Sequence, residues 1–123
     1  MKRDLTLPVT SLLTLLFMTF HMTHDVIRQV EGSVKYPIPV IIFAVWLYAI
    51  LMLSDRVAGY IIMFLGGLIG AGMIVAHSRG FVVGNSASFF FIWTLFALGA
   101  TGWVTMILSA RALWSAYRAR RRA

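Results

Sequence analysis

Residues 5–25 read LTLPVTSLLTLLFMTFHMTHD. From Leu5 to Phe20 the stretch carries no ionisable side chain, and then His21, His24 and Asp25 follow one another closely. An apolar run this long, about 5–22, approaches the ~20 residues with which a helix crosses ~30 Å of hydrocarbon. Three further runs of the same kind follow, at about 36–53, 57–76 and 88–108, and none contains Asp, Glu, Lys or Arg. The pattern predicts an all-α membrane protein. It is a single domain over 1–123, a four-transmembrane-helix bundle with a basic tail over 109–123. Transmembrane strands are a poor alternative, because no segment alternates apolar and polar residues.

Composition agrees with a lipid solvent. Of 123 residues 60% are hydrophobic and only 12% are charged, and the mean hydropathy is +0.86. A soluble domain has about a quarter of its residues charged, and a short one buries only about 60–70% of the surface its chain exposes. Lys2 and Arg3 before an apolar run have the outline of a secretory leader. Asp4 and Pro8 interrupt that outline and no small-x-small cleavage site follows, so the segment is expected to be a retained helix. The chain has no cysteine, which excludes disulfides, thiolate metal sites and cysteine nucleophiles.

The net charge of +7 is explained by topology, and nucleic acid is not an expected partner. With four spans, Lys2, Arg3, Arg56, Arg111, Arg118, Arg120, Arg121 and Arg122 share one side. Arg28, Lys35 and Arg79 share the other. The richer side is expected in the cytoplasm. This gives an N-in/C-in protein of the cell (inner) membrane. Arg118, Arg120, Arg121 and Arg122 are expected to contact anionic headgroups, each basic residue near the surface contributing about 1 kcal/mol.

Helices 1 and 3 then run in the same direction, and His21, His24, Asp25 and His77 collect at the outer face. At 100° per residue, Thr10, Thr14, Phe17, His21, His24, Asp25 and Arg28 form one stripe on helix 1. Polar groups in lipid face protein or a wet cavity, so the stripe is expected to face inward. In helix 3, Gly66 and Gly70 form a small-xxx-small surface for close helix packing. Pro37 is expected to open helix 2 and Ser54 or Asp55 to cap helix 3. RGFVVGNSAS, residues 79–88, reads as an outer loop.

Four chemistries fit the polar cluster. His21, His24, Asp25 and His77 suit a ligand contact or a transition metal, because imidazole and carboxylate bind zinc, copper, iron or nickel. Haem held between His21 and His77 is a weaker fit, because its ligands belong deeper in the bundle. The cluster also suits the outer vestibule of a small transporter or channel, with a path continuing through Thr10 and Thr14. Four spans is the size of the small multidrug-resistance transporters, but the helix-1 interior SLLTLLFM (11–18) lacks their glutamate, so that family is not adopted. A membrane enzyme using the His24–Asp25 pair is the remaining alternative. Ser33, Ser78 and Ser86 lie on the same side, but no nucleophile motif frames them. The leading expectation is a non-enzymatic component, a subunit beside a membrane protein partner or a homo-oligomer.

Overall fold

The computed structural model describes residues 4–27, 37–82 and 89–122, with side chains for 4–24, 37–77 and 89–122. Arg28, Lys35, Ser33 and Ser86 lie outside the described residues, as do the side chains of Asp25, Ser78 and Arg79. The described chain is an all-α bundle: α1 (Thr6–Ile27), α2 (Ile38–Met52), α3 (Val57–Val82) and α4 (Phe89–Arg122).

Each helix begins for a local reason. The Asp4 carboxylate accepts hydrogen bonds from the Thr6 amide (3.0 Å) and the Thr6 hydroxyl (2.6 Å). This side-chain turn satisfies an amide donor of the first turn of α1. Those bonds hold the exposed Asp4 carboxyl below its ordinary value, the Thr6 hydroxyl being the larger cause. In α2, Pro37 takes the N-cap position and Pro39 lies in the first turn. Proline costs nothing there, since those amides have no helical acceptor. A short turn, in which the Arg56 amide donates to the Leu53 carbonyl at 2.9 Å, reverses the chain into α3.

Three helices, α1, α3 and α4, are long and apolar enough to cross a membrane. At 1.5 Å per residue they measure about 33, 39 and 51 Å. α2 has 15 residues, or about 22 Å, shorter than the hydrocarbon layer. Three helices outrun their apolar segments. α1 continues to Ile27, α3 to Val82 and α4 to Arg122. Residues 79–82, read above as loop, are therefore helical. One glycine inside a helix costs only about 1 kcal/mol, and Gly80 does not stop the run. The basic segment 109–122 continues α4 without a break, because it contains neither proline nor glycine.

The central pair is α3 and α4, packed antiparallel through glycine. A Cβ on Gly67 would meet the Met106 amide nitrogen at 2.7 Å, and one on Gly102 would meet Ala71 N at 2.5 Å. Backbone therefore lies against backbone along Gly67, Gly70 and Gly102, the close approach that small residues permit in lipid. α1 packs antiparallel to α4 and parallel to α3, and α2 touches α1 and α3 but not α4. Gly66 and Gly70 are used inside the chain: the Trp46 ring of α2 covers Gly66, while Thr14 and Leu98 cover Gly70.

Hydroxyls tie the helices together. The Trp46 indole donates to Ser11 Oγ at 2.9 Å, and Thr14 and Thr105 join α1 to α4 at 3.0 Å. Thr14 has one proton and gives it to the Thr10 carbonyl (2.9 Å), so Thr105 is the donor of the cross-helix bond. The outward surface is apolar. Leu12, Leu16, Ile41, Leu65, Phe96 and Ile107 are among its exposed side chains, which suits contact with acyl chains.

Candidate functional site

Because α1 and α3 are parallel, residues near their C-terminal ends come together. The His21 and His77 rings lie 4.8 Å apart, edge to face at 89°. His21 is 1% exposed, although it sits near the end of its helix. Phe91, two residues into α4, closes the group. Its ring centre is 5.1 Å from His21, 5.2 Å from His24 and 5.8 Å from His77. Phe17 with Trp93 and Phe20 with Phe90 extend this aromatic shell at 5.6 and 6.5 Å.

His77 is held in one orientation. Its Nδ1 lies 3.0 Å from the Met73 carbonyl oxygen. A carbonyl only accepts, so Nδ1 is the donor of this bond, and in the neutral tautomer the lone pair is then on Nε2. Metal-ligating histidines have the same arrangement, with the far nitrogen bonded to a carbonyl and the near one a base. Among the described residues, however, no three His, Asp or Glu side chains form a set that would hold a metal ion. The Phe91 ring lies against all three imidazoles, and His21 and His77 touch each other directly. Asp25 belongs to α1 by its backbone.

The face that α1 buries runs through Leu7, Ser11, Thr14, Leu15, Met18 and His21. It is turned by about 60° from the stripe read in the sequence, at 100° per residue. Thr10, Phe17 and His24 are half-buried along its edge. The hydroxyls of Thr10, Thr19 and Thr23 are spent on carbonyls of α1 itself. Between the Thr14–Thr105 pair and His21 lie Met18 and Leu95, 2% and 0% exposed. The polar groups of α1 therefore form two separate layers with an apolar one between them.

At the far end of α4 the arginines stack on aromatic rings. The Arg118 guanidinium lies 5.0 Å from the centre of Trp114 and that of Arg121 4.8 Å from Tyr117. Arg120 and Arg122 are exposed. Sequence reasoning missed Phe91, which looks like any other residue of the apolar run FFFIW, and the Trp46–Ser11 bond, because Ser11 lacked a visible partner. The chain matches no protein-family model, no curated protein and no solved structure.

Proposed function

We propose that this chain is a small, non-enzymatic component of the cell inner membrane, with both termini cytoplasmic, that makes a ligand contact through His21 and His77. The ligand class is a borderline transition-metal ion such as zinc, copper or nickel. The observation that carries this reading is the contact of the His21 and His77 rings, with His77 oriented through Nδ1. The Met73 carbonyl accepts the Nδ1–H bond, which in the neutral ring leaves Nε2 as the ligating nitrogen, and a second imidazole from another helix lies against the same ring. Two protein nitrogens make an open, exchangeable site, unlike the closed four-ligand sets of structural zinc. The remaining positions fall to solvent, to a second copy or to a membrane partner. The orientation is supported by the excess of Lys and Arg at the end bearing Arg56, Arg111 and the α4 terminus. The apolar layer of Met18 and Leu95 favours a contact site over a continuous conducting path.

The test is metal stoichiometry of the full chain in detergent after loading with zinc, copper or nickel and desalting. About one equivalent is expected for the wild type, lost in both His21→Ala and His77→Ala, with helicity by circular dichroism unchanged. Failure of the wild type to retain metal, or full retention by His77→Ala, would overturn the reading.

A further inference from the structure

A second site lies at the opposite end of the bundle. The start of α1, the α2–α3 turn and α4 near Leu108 enclose an open cleft of about 430 Å³. That is within the range of small-ligand sites, about 300–1,000 Å³. Its polar wall is Asp4, Thr6, Ser54, Asp55, Tyr60 and Arg111, and its floor is apolar, with Leu7 and Leu108. The charge pattern is unexpected for this chain. There are only four acidic residues against eleven basic ones. Two of the four, distant in sequence, meet in one cleft at the end of the bundle that also carries Arg56, Arg111 and the arginines of α4. Asp4 already accepts from Thr6 through Oδ1, and a carboxylate has a second oxygen with which to accept.

The donors and acceptors are arranged for a molecule with two opposite charges. Asp4 and Asp55 accept from a cation, and Arg111 offers a planar fork suited to phosphate. Tyr60 adds a hydroxyl, and Leu7 and Leu108 supply an apolar part of the lining. We propose that this cleft binds the headgroup of a phospholipid bearing a primary ammonium and a phosphodiester, that is, a phosphatidylethanolamine. The ammonium lies between Asp4 and Asp55, the phosphate lies on Arg111, and the glycerol rests on Leu7 and Leu108. A primary ammonium has N–H donors for two carboxylates, whereas a choline headgroup has none. An anionic headgroup such as phosphatidylglycerol matches Arg111 but leaves the carboxylates facing negative charge.

The experiment is native mass spectrometry of the delipidated full chain in detergent, with synthetic phosphatidylethanolamine, phosphatidylcholine or phosphatidylglycerol of identical acyl chains. One phosphatidylethanolamine per chain should be retained, about tenfold better than phosphatidylcholine, the scale of one charge-assisted hydrogen bond. Asp55→Asn and Asp4→Asn should each erode that preference, and Arg111→Gln should weaken retention of both lipids. Arg120→Gln, on the exposed helix end, should change nothing. Equal retention of the choline lipid, stronger retention of phosphatidylglycerol, or equal loss in Arg120→Gln would overturn the proposal. Soluble glycerophosphoethanolamine binding as tightly as the lipid would also overturn it, by assigning the cleft to a water-borne ligand.

Discussion

Replacing Gly66 with alanine tests how α2 is held. The Trp46 ring occupies the space where a Cβ on Gly66 would stand, with atoms Cε2, Cζ2 and Cδ2 all inside contact distance. The ring has little room to retreat. Trp46 is 2% exposed, and its indole is tied to Ser11 at 2.9 Å. Overpacking of this kind costs about 1–3 kcal/mol. Gly→Ala also returns about 1 kcal/mol of helix propensity, so the net loss for Gly66→Ala is about 0–2 kcal/mol. Gly72 supplies the control, because a Cβ there meets nothing within 4 Å. Gly72→Ala carries the same propensity gain without the clash, so the two variants should differ by about 1–3 kcal/mol. Reversible unfolding in mixed micelles, followed by far-ultraviolet circular dichroism, gives both values. Trp46→Leu in the Gly66→Ala background should recover part of the loss, because the smaller side chain vacates the notch. Equal stability of Gly66→Ala and Gly72→Ala would refute the account of α2 docking through this notch.

Thr14→Val and Thr105→Val should show a coupling of about 0.6 kcal/mol in a double-mutant cycle, the average for hydrogen bonds between membrane helices, read from the same unfolding curves. Asp4 is held below the ordinary carboxylate value. Its bond to the first turn should therefore persist above the unfolded carboxyl's pKa and be lost as pH falls through the lowered folded value. Hydrogen exchange at the Thr6 amide should accelerate over that window, and Thr6→Val should raise the Asp4 midpoint in a carboxyl nuclear magnetic resonance titration. Replacing Arg118, Arg120, Arg121 and Arg122 together with glutamine should release the end of α4 from anionic nanodiscs and leave its behaviour in zwitterionic ones unchanged, at about 1 kcal/mol per basic residue. A spin label at Ser115 would report the change in surface proximity.

The helices were legible as apolar runs because burial in lipid requires hydrocarbon over a fixed thickness. The true lengths of α3 and α4 were not, because hydropathy measures that thickness and the backbone ladder continues wherever nothing breaks it. α4 runs past Leu108 through fourteen further helical residues, Ser109 to Arg122. α2 errs the other way: Pro37 and Pro39 set its start, and its helix spans only Ile38–Met52. At the histidines, counting crossings was enough to bring α1 and α3 residues to one end. Phe91 was not legible, since its role depends on the rotation of α4 about its axis, which periodicity left undefined in a helix apolar on nearly every side. The buried face of α1 was displaced for a related reason. Leu7, Leu15 and Met18 pack as tightly as the polar residues, so polarity alone did not mark the contact.

α4 reaches from Phe91, among the imidazoles, to the arginines at its other end as one unbroken rod. The glycine seam around Gly102 holds it close to α3 near the middle, which makes that seam a fulcrum. Phe91 stands about 16 Å from Gly102 along the axis and Arg122 about 30 Å on the other side. A tilt of about 5° that moves the ring by about 1.4 Å swings the arginines by about 2.6 Å in the opposite sense. Any tilt of α4 about that seam would therefore move its arginine end about twice as far as its Phe91 end.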